Sequence, residues 1–296
     1  MPESGILVVD KPPGWTSHQV VGRCRRLLGT RKVGHAGTLD PMATGVLVVG
    51  VNRATRLLGH LALTSKTYTA TIRLGLATDT DDADGSVTAA AGASGLTDEA
   101  IEVAMAPLRG AIVQVPSTVS AIKIDGQRAY ARARRGEDVV LQGRPVTVSR
   151  FHVVQRRDSH ADGTAVTDLD VIVDCSSGTY IRALARDLGA ALGTGGHLTA
   201  LRRTRVGGFD LDGALTPEAL TADPPRTPKL LGLAAVARRS FRCVELDAGQ
   251  ARDVGYGRPL TLPVPADPTA LLHADELLAL YRPDGDRAVP IAVLSG

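Results

Sequence analysis

The stretch GHAGTLDPMATG, residues 34–45, contains three glycines, one proline and one aspartate. Glycine permits tight turns and a close approach of the backbone to a ligand. A residue before proline is biased toward extended conformations, which can hold the carboxylate of Asp40 outward. The stretch has neither the ending of a Walker phosphate-binding loop nor a Gly-x-Gly-x-x-Gly fingerprint. On composition alone an ordinary turn is favoured, and a ligand-facing carboxylate stays open.

The segments on both sides of this stretch predict regular structure. The apolar run Gly5–Asp10 predicts a buried strand that ends in a rigid turn at residues 11–14. Ser17 is expected to cap a helix that continues to Leu28, because apolar residues recur there on one stripe. Val46–Val49 predicts another buried strand directly after the loop.

Composition excludes several protein classes. The chain has 296 residues, of which 44% are hydrophobic and 22% charged, as in an ordinary globular protein rather than a disordered or fibrous one. No apolar run approaches the ~18 residues of a membrane span, and the N-terminus lacks a secretory signal pattern. We therefore expect a cytoplasmic protein without a membrane segment. The three cysteines lack CxxC spacing, so neither a disulfide framework nor a metal site is predicted.

Positive charge is concentrated in two places, although the net charge is only +3. The segment from Ser120 to Arg150 contains seven basic and three acidic residues. A second cluster comprises His197, Arg202, Arg203 and Arg205. Either cluster alone is compatible with a solvated surface, but together they favour a polyanionic partner.

The acidic segment Asp79–Gly85 resembles a calcium-binding loop at first sight. The EF-hand pattern requires a glutamate at its twelfth position, which is Ala90 when counted from Asp79. The segment is therefore interpreted as an acidic, solvent-exposed turn.

The motif at residues 34–45 resembles the catalytic motif of the TruB-type pseudouridine synthases, the bacterial tRNA pseudouridine-55 synthases. Five further segments resemble motifs of this family in the same order, so that the resemblance covers about residues 5–209. These segments are Leu7–Pro12, Lys66–Tyr68, Ser120–Lys123 with Gly126, Cys175–Arg182 and His197–Arg203.

The resemblance implies an α+β fold, with a pseudouridine synthase catalytic domain that is built around a mixed, largely antiparallel sheet. This domain is expected at residues 1–215, with an RNA-gripping loop at about 120–150. The proline-rich composition that begins at Thr216 predicts a linker over 216–237. Residues 238–296 are expected to form a small PUA-like, RNA-binding β-barrel module.

The resemblance also implies an activity, the isomerisation of uridine 55 in the TΨC loop of tRNA. The N1–C1′ bond breaks, the flipped base turns, and C5 joins C1′ without redox change, so no cofactor is expected. Asp40 would be the catalytic carboxylate, with Arg182 as the guanidinium that keeps it ionised. Tyr68 would stack on the uracil, with its hydroxyl near enough for proton removal.

Further positions are assigned to RNA binding by the same resemblance. His35 would fill the gap left by the flipped base, and Tyr180 and Leu201 would form walls of the pocket. Contacts to the RNA are expected from Lys123, Arg202 and Arg203. Lys11 is expected to support the catalytic loop.

The expected partner is the T arm and elbow of tRNA, bound by a monomer that needs no protein partner. Two alternatives stay open at the level of sequence. One is a non-catalytic RNA-binding or tRNA-folding protein, and the other is a guide-RNA-dependent pseudouridine synthase. An ionised carboxylate paired with an arginine has no evident use in binding alone, which favours the enzyme.

Overall fold

The computed structural model describes residues 3–117, 142–222 and 227–294, and the backbone of 123–124 and 127–128. The chain divides into two compact units. The first unit combines Met1–Thr64 with Arg205–Gly296, and the second is the continuous segment Ser65–Thr204.

The amino-terminal part of the first unit is built around three strands. Its elements are β1 (Gly5–Lys11), α1 (Ser17–Leu28), β2 (Val33–His35), β3 (Thr44–Val51), a 3₁₀ helix (Asn52–Leu57) and α2 (Leu58–Ala62). Strands β1 and β2 both pair antiparallel with β3. These pairings fix both ends of the loop between β2 and β3, which consists of residues 36–43 and is the central part of the 34–45 motif.

Helix α1 has the predicted extent but a different cap. Its apolar stripe, which includes Val20, Cys24 and Leu27, is buried, as the periodicity predicts. The residue that caps the helix is Thr16, whose hydroxyl accepts a hydrogen bond from the Gln19 amide. The prediction that Ser17 is the cap was wrong, because Ser17 is the first helical residue and its hydroxyl has another partner.

The second unit contains the largest group of paired strands. Its elements are β4 (Lys66–Leu74), β5 (Ala77–Thr78), β6 (Val87–Ala89), α3 (Asp98–Met105), a 3₁₀ helix (Ala106–Leu108), β7 (Gly110–Gln114), β8 (Lys123–Ile124), β9 (Gln127–Arg128), β10 (Arg144–Ala161), β11 (Thr164–Cys175), α4 (Ile181–Ala191) and β12 (Gly196–Val206). The main strands lie in the order β12-β4-β11-β10-β7. Strand β11 pairs antiparallel with both β4 and β10, and β10 pairs antiparallel with β7.

The carboxy-terminal part of the chain completes the first unit. Its elements are α5 (Pro217–Thr221), β13 (Leu231–Gly232), α6 (Leu233–Ser240), β14 (Arg242–Glu245), α7 (Ala248–Gly255), β15 (Thr269–His273), β16 (Glu276–Asp284) and β17 (Arg287–Val293). Strands β14 to β17 form one sheet in chain order. A β module is therefore present at the carboxy terminus, whereas its closure into a PUA-like barrel stays a prediction.

The carboxy-terminal module and the first strands of the chain contribute to one hydrophobic core. Buried side chains from both parts lie in the same cluster, among them Ile6, Val48, Ala270 and Leu280. Within the segment predicted as a linker, residues 217–221 form a helix, and its Leu220 is buried in a neighbouring cluster. The predicted domain limits themselves stay a prediction.

The mixture of helices and largely antiparallel sheets confirms the predicted α+β class. In the part of the chain that the structure describes, no helix is both long enough and apolar enough to cross a membrane.

Candidate active site

Asp40 lies in the loop between β2 and β3, and its side chain is half-buried. Two glycines of the motif have positive φ angles, 92° at Gly37 and 99° at Gly45. Residues with side chains rarely adopt this conformation, so the backbone depends on glycine at both positions, one within the loop and one at the start of β3. The glycines therefore have a structural role that places Asp40.

The peptide before Asp40 is fixed by Ser17. The buried Ser17 hydroxyl donates a hydrogen bond to the carbonyl oxygen of Leu39 (3.2 Å) and accepts one from the Leu39 amide (2.9 Å). The Leu39 side chain is itself buried. One hydroxyl thus satisfies both backbone groups of the residue next to Asp40, which restricts how that part of the loop can rotate.

The carbonyl group of Pro41, the residue after Asp40, is held by Lys11 and Gly14. The fully buried ammonium of Lys11 donates to the carbonyl oxygens of Pro12 (2.9 Å), Trp15 (2.6 Å) and Pro41 (3.1 Å). The Gly14 amide donates to the same Pro41 oxygen at 2.9 Å. These contacts confirm that Lys11 supports this loop, and they leave Asp40 between two anchored residues.

His35 ends strand β2 and lies opposite Val49 of β3. Its half-buried ring packs edge-to-face against the exposed ring of His18 on α1, with centroids 5.5 Å apart and planes at 84°. Two imidazoles are therefore adjacent on the part of the first unit that carries the Asp40 loop.

Tyr68 belongs to the second unit and is buried on the inner face of β4. Lys66 lies two residues earlier on the same face and is also buried. Burial, together with the nearby charge of Arg203, lowers the pKa of Lys66 from 10.5 to about 8. Cys175, opposite Lys66 in register, is a buried thiol whose pKa is raised to about 11, mainly by burial.

Tyr180 and Arg182 both lie at the start of α4. Tyr180 is the N-cap residue, and its backbone is bonded to the side chain of Gln114. The guanidinium of Arg182 donates from Nη1 to the carbonyl oxygen of Thr80 at 2.9 Å and forms an ion pair with Asp82. The expected pairing of Arg182 with Asp40 stays a prediction.

The environment of Asp82 corrects one interpretation of the sequence. The composition of residues 79–85 predicts a solvent-exposed turn, but Asp82 is buried. The Thr80 hydroxyl donates to its Oδ1 atom at 2.6 Å, and the Asp84 amide donates to the same atom at 3.1 Å. The turn thus folds around one carboxylate and directs it toward Arg182, while Asp84 remains exposed.

The remaining predicted RNA-binding residues lie in β12 and in the segment that contains β8. Leu201 and Arg203 are buried, and Arg202 is half-buried. The side chain of Lys123, the arginines at positions 132, 134 and 135, and most of the loop predicted at 120–150 lie outside the described residues. Among the residues that are described, no group of three or more His, Cys, Asp or Glu side chains could hold a metal ion.

Two family models match the chain consecutively. The TruB family pseudouridylate synthase N-terminal domain matches residues 25–181, and the tRNA pseudouridylate synthase B C-terminal domain matches residues 182–224. The chain belongs to the TruB family of pseudouridylate synthases. This membership confirms the predicted family and the predicted class of enzyme.

Relatives of this TruB-family enzyme match it over nearly its whole length. The tRNA pseudouridine synthase B of Cutibacterium acnes is 60% identical over 286 residues, which is 96% of this chain and 95% of the relative. The enzyme of the same name from an Arthrobacter species is 56% identical over 293 residues, 99% of this chain and 94% of the relative.

A solved structure described as a Cbf5-Nop10-Gar1 complex is similar with a TM-score of 0.72 and 25% identity. The similarity covers 98% of this chain and 84% of that one. With the family match, it confirms the predicted pseudouridine synthase fold.

Three residues that contact predicted site residues of this TruB-family enzyme, or their neighbours in the chain, were not predicted from its sequence. Asp82 is one of several aspartates in an acidic segment, and composition gives no signal of which one is buried. Ser17 has a side chain suited to a helix cap, which concealed its contact with Leu39. Gln114 ends a short strand and meets Tyr180 across 66 positions of sequence, so no local pattern reveals it.

Proposed function

We propose that this enzyme isomerises uridine 55 in the T loop of tRNA to pseudouridine, with Asp40 as the catalytic carboxylate. The observation that carries the proposal is the anchoring of Asp40 from both sides, through the contacts of Leu39 and Pro41. A carboxylate whose position is set before the substrate arrives needs little reorganisation during the reaction. Relatives named for tRNA pseudouridine synthesis support the choice of substrate.

The chemistry is an isomerisation in which all atoms of the nucleotide are retained. The N1–C1′ bond breaks, the uracil turns within the site, and a bond forms between C5 and C1′. The proton on C5 is then lost and N1 gains a proton, which restores the aromatic ring. The ionised Asp40 acts on this path either as a nucleophile or by offsetting positive charge at C1′.

The other site residues have separate roles in the proposal. Arg182 keeps Asp40 ionised, and Tyr68 stacks on the flipped uracil and takes part in removal of the C5 proton. Extruding the base costs a few kcal/mol, which His35 offsets by stacking in the vacated position. Tyr180 and Leu201 complete the walls of the pocket.

RNA binding is assigned to surfaces outside this pocket. Lys123, Arg202 and Arg203 contact the RNA, and the loop at 120–150 grips the phosphate backbone of the T arm and elbow. The catalytic domain extends over 1–215, a linker over 216–237, and a PUA-like RNA-binding module over 238–296. The enzyme acts as a monomer in the cytoplasm, without a cofactor or protein partner.

The test is to map pseudouridine in an unmodified tRNA transcript after incubation with wild type, Asp40→Asn and Asp84→Asn. Asp40→Asn keeps the size of the side chain but removes its charge, whereas Asp84 is an exposed aspartate outside the motif. We expect modification at position 55 by wild type and Asp84→Asn, and none by Asp40→Asn. All three proteins should retain most of their tRNA binding.

Other outcomes decide against the proposal in specific ways. Modification by Asp40→Asn contradicts the assigned mechanism. Binding without modification by wild type favours the RNA-binding alternative. Modification that requires an added RNA favours a guide-dependent enzyme.

A further inference from the structure

We propose that Gln114 is a positioning residue for pseudouridine formation, because its side chain clamps the Tyr180 backbone and so fixes the start of the helix that carries Arg182. The inference rests on the function proposed above. Gln114 is the last residue of β7, and only 2% of it is exposed. Burying a primary amide is unfavourable unless its polar atoms are hydrogen-bonded.

Both ends of this amide bond to the same residue. Nε2 of Gln114 donates to the Tyr180 carbonyl oxygen at 3.0 Å, and Oε1 accepts from the Tyr180 amide at 2.7 Å. Two bonds from one planar group leave the backbone of Tyr180 little freedom to rotate. Glutamine is suited to this contact because its side chain combines a donor and an acceptor.

The clamp holds a helix terminus that has no side-chain cap. Tyr180 is the N-cap of α4, yet no side-chain cap is formed at this terminus. The Tyr180 carbonyl also accepts from the Leu184 amide, so Gln114 bonds to the group that opens the helix. The direction in which the first turn of α4 leaves the loop is therefore set from β7.

A second contact between the same two segments lies six residues further along the chain, in α4. Nη2 of Arg186 donates to the Val115 carbonyl at 2.8 Å, and Nη1 of Arg186 lies 3.4 Å from Oδ2 of Asp81. Arg182 lies between the Tyr180 and Arg186 contacts in the chain. The helix segment that carries Arg182 is thus held at two points by the end of β7.

Strand β10 strengthens the loop before α4. The Thr147 amide donates to the Ser176 hydroxyl at 2.9 Å, and the Ser176 amide donates to the Thr147 carbonyl at 2.8 Å. Thr179 then closes the turn by donating from its hydroxyl to the Ser176 carbonyl at 3.0 Å. With this loop braced, losing Gln114 should release the Tyr180 peptide specifically and leave the surrounding fold in place.

Two substitutions distinguish the loss of the hydrogen-bond donor of Gln114 from the loss of both of its hydrogen bonds. Gln114→Glu keeps the length and the acceptor but places a carboxylate against the Tyr180 carbonyl. Gln114→Met keeps the length and removes both hydrogen bonds. Val166→Ala is the control, because it removes apolar volume from the core of β11 in the same unit at a distance in sequence from every predicted site residue.

The measurements are the single-turnover rate on saturating tRNA, the tRNA dissociation constant, the melting temperature, and hydrogen exchange of the peptide over residues 180–186. We expect both Gln114 variants to lose about 10- to 100-fold in rate with tRNA affinity unchanged within about 2-fold. Exchange over 180–186 should accelerate in both variants. Val166→Ala should lower the melting temperature while its rate stays near that of wild type.

Two results would overturn the inference. One is faster exchange over 180–186 in the Gln114 variants with a wild-type rate. The other is a loss of rate in Val166→Ala as large as in the Gln114 variants at a similar melting temperature, because the effect would then be one of stability. A wild type that forms no pseudouridine in tRNA rejects the proposed function instead, so the two failures are distinguishable.

Discussion

Arg182 and Asp82 form a buried ion pair, in which Nη1 of the arginine lies 3.3 Å from Oδ2 of the aspartate and the side chains are 5% and 6% exposed. Removing two charges from water is unfavourable unless each is compensated, and here Thr80 contributes hydrogen bonds to both partners. The arginine assigned to the reaction is therefore held by an acidic turn distant from it in sequence.

We expect Asp82→Asn to slow pseudouridine formation by about 10-fold or more, because Arg182 loses the charge that orients it. The free energy of unfolding should fall by about 3 kcal/mol or more, since the buried guanidinium loses its counter-charge. Single-turnover kinetics and urea unfolding measure the two effects. Asp84→Asn, on the exposed side of the same turn, should change stability by no more than about 0.5 kcal/mol. Equal rates for Asp82→Asn and wild type would show that the pair has no part in the reaction.

Ser17→Ala should reduce the reaction rate, whereas Thr16→Ala should not. Both remove one hydroxyl at the start of α1, and we expect each to lower the free energy of unfolding by about 1–2 kcal/mol. Only the Ser17 hydroxyl bonds to the Leu39 peptide beside Asp40. Single-turnover rates of the two variants, compared at similar stability, measure the effect of the Ser17–Leu39 hydrogen bonds on the reaction. A similar loss of rate in both variants would contradict a specific role for these bonds.

The buried Lys66 should make stability rise with pH above neutrality. Its pKa is about 8 in the folded protein and ordinarily 10.5, so between these values the unfolded chain binds the additional proton. Lys66 lowers the free energy of unfolding most strongly below pH 8, and this destabilisation decreases as the pH rises toward 10.5. From pH 7.5 to 9, we expect wild type to gain about 1 kcal/mol relative to Lys66→Met in urea unfolding.

The comparison with Lys66→Met is needed because another group changes stability in the opposite direction. The pKa of Cys175 is raised to about 11, so its thiol opposes folding increasingly as pH rises through the alkaline range. Burial, the main cause of that shift, is common to both proteins, so most of this contribution cancels in their difference. If the difference in free energy of unfolding between wild type and Lys66→Met does not vary with pH, Lys66 has its ordinary pKa in the folded protein.

Replacing Arg132, Arg134 and Arg135 with alanine should weaken tRNA binding and flatten its dependence on salt. If each arginine neutralises one phosphate, the slope of log affinity against log salt should decrease by about 2–3. Filter binding over a range of salt concentrations measures this slope. An unchanged slope would show that these arginines do not contact the RNA phosphates.

Several elements of the fold were predictable because their signal is local. The stripe of Val20, Cys24 and Leu27 recurs at helical spacing, and α1 ends at Leu28 as expected. The apolar run after Gly45 likewise predicts a strand, and β3 is buried along almost its whole length. Such periodicity indicates which side of a helix or strand faces the core, and it does not depend on which residues pack against that side.

The motif of residues 34–45 and the support from Lys11 were also accessible from sequence, through resemblance to the TruB family. The choice between Thr16 and Ser17 as the helix cap was not. Both hydroxyls are suited to a cap, and only the folded loop shows that Ser17 bonds to Leu39 instead.

The amino-acid sequence by itself determined the family and the loop that presents Asp40, since both follow from contiguous motifs, and the α+β class was implied by resemblance to that family. Tertiary structure alone decided that Asp82, among four aspartates in one turn, faces Arg182, and that Gln114 holds Tyr180. The two contacts join positions that are 100 and 66 residues apart, and a long-range partner is selected by packing that no local pattern encodes.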